Sequence, residues 1–131
     1  MNYTLPGLVD IHINGFAGVD YNDAGLTAEA LSQSLIAMRQ TGVTRCLPTI
    51  ITSSRPHFAA CARALAASPD PMIAGLHMEG PYISPHDGPR GAHSRAWVID
   101  ASIEDFKRRR RPPSAASNLS PSPPKCPAHW N

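Results

Sequence analysis

Gly7-Leu8-Val9-Asp10-Ile11-His12-Ile13-Asn14 alternates apolar and polar residues for most of its length. Side chains of a strand point alternately to its two faces, so Val9, Ile11 and Ile13 define one face and Asp10, His12 and Asn14 the other. Downstream, the glycine-containing residues 15–25 read as a loop. Thr27 then caps a helix carrying Ala30, Leu31, Leu35 and Met38 on one side and ending at Thr41-Gly42. Residues 43–47 resume a short strand. Ser54-Arg55-Pro56 opens a second helix, with proline suited to the first turn and Phe58, Cys61, Ala62 and Leu65 on its buried side. Residues 72–76 form a third strand, leading into His77-Met78-Glu79-Gly80-Pro81. Strand, helix, strand, helix, strand predicts a parallel sheet with right-handed crossovers. Residues 80–91 are too rich in Gly, Pro and Ser for a regular element, and residues 97–106 start another helix with Glu104 and Asp105 in its early turns.

The chain has 131 residues, 42% hydrophobic and 17% charged, which excludes a polar disordered chain. No apolar run approaches the roughly 18 residues that span a bilayer, so a membrane protein is excluded as well. With no basic-then-apolar opening, the N-terminus reads as lacking a signal peptide, which places the chain in the cytoplasm. Scattered Cys46, Cys61 and Cys126 suit that reducing compartment better than a disulfide framework. All ten acidic residues lie at or before Asp105, facing six basic ones; the other six basic residues follow at Lys107, Arg108–Arg111 and Lys125. This contrast divides the chain into a folded unit, residues 1–106, and a disordered basic tail rich in Pro and Ser, residues 107–131. The abrupt change suggests out-of-frame translation of a truncated gene. The arginine run admits phosphate neutralisation, but lacks interleaved aromatic residues and a nucleic-acid-binding module, so nucleic acid is set aside as a partner.

Asp10, His12 and Asn14 project together toward the carboxyl end of a parallel strand, where such folds bind ligands. A plainer reading makes them the wet face of a half-exposed strand, but the other face, Val9, Ile11 and Ile13, is expected to meet the helices, which weakens that reading. Glu79 ends an apolar strand, and a carboxylate there needs a metal or an arginine unless it is a surface loop residue. His77, two residues earlier, favours a polar site. His93, in Gly91-Ala92-His93, gains interest only from this company.

Four blocks, residues 6–15, residues 42–49, Gly75-Leu76-His77-Met78-Glu79-Gly80-Pro81-Tyr82 and Gly91-Ala92-His93, resemble in order the N-acetylglucosamine-6-phosphate deacetylases of the amidohydrolase superfamily. The resemblance covers residues 5–106. It implies an α/β fold, a partial (β/α)8 TIM barrel of about three β/α units, from an enzyme that hydrolyses N-acetylglucosamine 6-phosphate to glucosamine 6-phosphate and acetate. It implies a divalent metal, zinc first, that polarises the amide carbonyl and lowers the pKa of bound water. Carried over, Glu79 is the metal-binding glutamate, and Ala92 and His93 meet the amino-sugar phosphate. His12 is a second-site metal or substrate-side group; Asn14, where binuclear relatives resemble one another in having histidine, implies one principal metal. No catalytic residue falls within the chain: the catalytic aspartate and two further metal histidines of the family come from later strands, since such a barrel takes about 250 residues. Taken alone the chain is read as inactive, and its full-length relatives as homo-oligomers. The alternatives are a non-enzymatic remnant with a basic, anion-binding tail, and a fragment of a different amidohydrolase.

Overall fold

A computed structural model describes residues 4–110. The elements run β1 (Leu8–Ile13), β2 (Gly15–Phe16), β3 (Val19–Asp20), α1 (Ala28–Arg39), β4 (Val43–Ile50), α2 (Arg55–Ala66), β5 (His77–Met78), a 3-10 turn (Arg95–Trp97) and α3 (Ile103–Arg110). The central sheet has the order β1-β4-β5, with both pairings parallel. The fold is mixed α/β.

Local chemistry places α1 and α2 as the sequence predicts. The Thr27 hydroxyl accepts from the Ala30 N–H at 3.1 Å to start α1, and the turn leaving the helix contains Gly42 at φ +92°. Ser54 caps α2, with Pro56 in its first turn. Leu31, Leu35 and Met38 of α1 join Phe58, Cys61, Ala62 and Leu65 of α2, together with Cys46, Ile50 and Met72, in one core. Cys46 and Cys61 are buried free thiols. Among the described residues no helix is long and apolar enough to cross a membrane.

Four expectations change. The loop over residues 15–25 contains a hairpin: β2 and β3 pair antiparallel across Ala17 and Gly18, at φ +52° and +82°, the two positive values such a tight turn requires. The third strand is displaced: Ile73 makes an isolated bridge with Cys46, and regular pairing resumes only at His77–Met78, beyond Gly75, which passes close to the Leu47 side chain. On β1 only Ile13 packs against the core, while Val9 and Ile11 remain 58% and 65% exposed. These two do not meet the helices: of the apolar face of β1, the core under α1 and α2 takes only Ile13.

The last change concerns residues 107–110, which composition assigned to the tail. They are the final turn of α3, which begins at Ile103 and not at residue 97, where the chain makes a 3-10 turn instead. Asp105 is buried on α3 and accepts from Arg109 Nε at 2.7 Å, from Tyr82 at 2.9 Å and from Arg55 of α2. The guanidinium of Arg109 stands 5.4 Å over the Phe58 ring. This contact explains why the helix runs through the composition change: Arg109 is a docking residue, 7% exposed. The rest of the proposed tail lies outside the described residues.

Two outcomes follow from these contacts. The free edge of β1, flanked by exposed Leu8, Val9 and Ile11, favours strand-to-strand association. Sedimentation velocity should show concentration-dependent self-association that Ile11→Lys reduces; a monomer at all concentrations would contradict this. Burial works to raise the Asp105 pKa, but hydrogen bonds from Arg109, Arg55 and Tyr82 outweigh it and hold the carboxyl below the usual range. The stabilisation is therefore full above the unfolded value of about 3.9 and is lost as pH falls through the lower folded value. Asp105→Asn should cost about 3 kcal/mol at pH 7 and flatten the melting temperature below pH 4; an unchanged acid profile would refute the assignment.

Candidate functional site

Parallel strands present their carboxyl ends on one side of a sheet, and here that side gathers the polar residues. Glu79 follows β5 directly, and its N–H donates to the Ile50 carbonyl at the end of β4 at 3.0 Å. Its carboxylate faces β1: His12 Nε2 lies 3.1 Å from Oε2, and Asn14 Nδ2 donates to the same oxygen at 3.4 Å. His93 Nε2 lies 3.3 Å from the other oxygen, Oε1. Burial alone would raise the Glu79 pKa; the hydrogen bonds from Asn14 and His12 and the charge of His12 and His93 outweigh it, so the carboxyl stays below the ordinary glutamate value.

Of the sequence candidates, Glu79, His12, Asn14 and His93 thus meet at one point. Asp10 does not join them, since its carboxylate accepts from the backbone N–H of His12 at 3.0 Å. His77 lies beside His12, with ring centroids 4.7 Å apart, and its Nδ1 is 2.9 Å from the Ile11 carbonyl, so it braces β1. Ala92 is exposed in the loop just before His93. Arg90 bonds the His93 carbonyl and pairs with Asp87, which fastens this loop.

Sequence reading missed Thr52. It is 5% exposed, lies 3.0 Å from His93 Nδ1, and its hydroxyl also reaches the Glu79 carbonyl at 3.4 Å. One hydroxyl therefore fixes both the loop histidine and the backbone of the central carboxylate. Thr49 and Asn22 were missed as well. The Thr49 hydroxyl accepts from the Ile13 N–H at 3.0 Å, and Asn22 bridges the Thr49 carbonyl at 3.0 Å and the Ile51 N–H at 2.9 Å. His57 Nε2 of α2, 2.8 Å from the Asn22 carbonyl, completes this brace on the end of β4. A threonine in Ile-Thr-Ser-Ser reads as turn material; only the fold brings it under Glu79.

Whether these side chains hold a metal is a matter of donor count. A catalytic zinc takes about three protein ligands and a water. Glu79 and His12 supply an anionic oxygen and an imidazole, but among the described residues no group of three or more His, Cys, Asp or Glu side chains is arranged to hold an ion. Among the described residues this donor set is smaller than a catalytic metal takes, so no hydrolytic step is assigned to a metal in this chain by itself.

This is an α/β protein with its polar cluster at the carboxyl ends of parallel strands, and the chain belongs to the Amidohydrolase family, whose profile matches residues 3–120. It is 31% identical over 112 residues to N-acetylglucosamine-6-phosphate deacetylase of Bacillus subtilis, covering 79% of this chain and 27% of the relative. It is 36% identical over 105 residues to N-acetylgalactosamine-6-phosphate deacetylase of a Shewanella species, covering 72% of this chain and 26% of the relative. The crystal structure of N-acetylglucosamine-6-phosphate deacetylase from Pasteurella multocida is similar with a TM-score of 0.65 and 26% identity, over 78% of this chain and 27% of that one. The chain spans about a quarter of the length of these relatives.

Gly80 tests how tightly the cluster is built. It sits at φ +78°, and a Cβ there would lie 2.0 Å from Thr52 Oγ1, whereas Gly88, at φ +88°, has nothing within 4 Å of its Cβ position. Gly80→Ala should destabilise the chain by about 2 kcal/mol more than Gly88→Ala in thermal melting, since only the first adds a clash to backbone strain. Equal effects would mean that Thr52 is not packed under Glu79.

Proposed function

We propose that the chain is the N-terminal part of a (β/α)8 barrel from a metal-dependent deacetylase, one that hydrolyses the N-acetyl group of an amino-sugar 6-phosphate to release acetate. The observation that carries this reading is the shared Glu79 carboxylate, with His12 and Asn14 from β1 on one oxygen and His93 from a following loop on the other. The similarity to deacetylases for both N-acetylglucosamine and N-acetylgalactosamine 6-phosphates supports the reaction and leaves the sugar open between two epimers. N-acetylglucosamine 6-phosphate is the substrate preferred here, on the four sequence blocks that resemble its deacetylases.

In a completed barrel Glu79 would hold the divalent ion with histidines from later strands, zinc being the first choice. His12 would stand at its edge. When bound, the ion supplies Lewis-acid polarisation and an activated water. The chain's own residues orient and fasten: Asn14 and His12 set the direction of the carboxylate, Thr52 holds the His93 ring, and the Arg90 clamp presents His93 and Ala92 toward the substrate. Among the described residues the donors are fewer than a catalytic metal takes, and we read the chain as inactive by itself.

A chimera tests the reading: residues 5–106 joined to the rest of the Bacillus subtilis deacetylase, assayed for acetate release and bound metal. Glu79→Gln keeps size but removes the anionic oxygen, so metal content and rate should fall together by at least about 100-fold in rate. His12→Asn should cost less. A Glu79→Gln chimera with full metal and full rate would overturn the assignment. Deacetylation by the unfused chain, abolished by chelation and surviving repurification, would overturn its inactivity.

A further inference from the structure

A second polar feature lies between α2 and α3 and shares none of the residues around Glu79. Between α2 and α3 is a cavity of about 500 Å³ lined by Arg55, Arg63, Arg108 and Arg109, with Pro56 and Phe58 as apolar floor. Asp105 is the acidic group that engages this cluster, pairing with Arg55 and Arg109 through their Nε atoms. Arg63 and Arg108 pair with no carboxylate among the described residues. Residues 111–131 contain no Asp or Glu to supply one. Four guanidiniums against one carboxylate leave three positive charges uncompensated around one cavity.

We propose that this cavity is a binding site for a small organic phosphate carrying at least two negative charges. Guanidinium is a planar fork that meets phosphate oxygens in pairs and keeps its charge at every accessible pH. Asp105 holds two of the forks in place before a ligand arrives, which lowers the ordering cost of binding. Arg55 and Arg63 are eight residues apart on α2, about 12 Å along the axis, a spacing that suits an extended polyanion better than a single monophosphate. The Phe58 ring is covered by the Arg109 guanidinium, so exposed Pro56 is the apolar surface open to a body attached to the phosphates. The site is independent of the deacetylase reading: it shares no residue with the Glu79 cluster.

Isothermal titration of the full 131-residue chain with inorganic pyrophosphate and with adenosine diphosphate, at low and at 0.5 M salt, tests this. Both probes should bind saturably at one site, more weakly at high salt, with adenosine diphosphate the tighter because its base packs on exposed Pro56. The double variant Arg63→Gln/Arg108→Gln should bind about tenfold more weakly or worse, with an unchanged circular dichroism spectrum, since neither side chain holds an ion pair. Arg63→Lys, which keeps charge but loses the fork, should fall between. The control Arg45→Gln/Arg95→Gln, which removes the same charge from elsewhere, should bind as the parent does. Absence of saturable binding, or equal weakening in the two double variants, would overturn the proposal. So would a thymidine oligonucleotide that displaces both probes and binds unchanged in Arg63→Gln/Arg108→Gln, because the anion site would then lie elsewhere.

Discussion

Two parallel strands cannot be joined by a tight turn; the chain must cross back over the sheet before it can pair again in the same direction. In this protein α1 makes that return between β1 and β4, and α2 begins the next one before β5. Every other feature depends on it. Because β1, β4 and β5 point the same way, the residues that leave their carboxyl ends, Asn14, Thr52 and Glu79, emerge side by side although they are separated by up to 65 positions in the chain. The helices cover the opposite requirement, burying Leu31, Leu35, Met38, Phe58, Cys61 and Leu65 on the core that anchors β4.

The polar cluster is organised around one carboxylate with two distinct oxygens. His12 and Asn14 converge on Oε2, while Oε1 faces His93. Thr52 then ties the His93 ring to the Glu79 backbone from beneath. The arrangement is half-open to solvent and one-sided, in keeping with a chain that spans about a quarter of its relatives' length. It is built as a wall of a site: anionic at its centre, imidazole on both flanks, and braced from behind by Thr49, Asn22 and His57. The arginine-lined cavity between α2 and α3 is a separate piece of electrostatics with the opposite sign, centred on Asp105.

Much of this was legible in the order of residues. The strict alternation around His12, the caps at Thr27 and Ser54, and the proline in the first turn of α2 are local signals, and local hydrogen bonding obeys them. Glu79, His12 and His93 could be named because each stands at the end of a strand or beside glycines. What escaped was set by tertiary contact. Val9 and Ile11 have the pattern of a buried face, yet burial depends on what packs there, and of this face the core under α1 and α2 takes only Ile13. Thr52 and Ser34 are polar residues whose burial follows from partners distant in sequence: Thr52 from Glu79 and His93, Ser34 from the Tyr21 hydroxyl at 2.8 Å and the Phe16 carbonyl at 2.9 Å. Arg109 looked like tail because composition counts charges and does not record that Asp105, four residues earlier, occupies the same helix face.

Glu79 is the shared partner of two histidines, His12 brought to it by parallel strand pairing and His93 by the loop that Arg90 and Thr52 fasten. Long-range nitrogen–proton correlation spectra of the histidine rings, recorded on the chain and on Glu79→Gln at one pH, test it most directly. The account predicts that the Nε2 resonances of His12 and His93 both move on this substitution, while those of His57, bonded to the Asn22 carbonyl, and of exposed His86 stay in place. Unmoved His12 and His93 resonances in the substituted chain would contradict it.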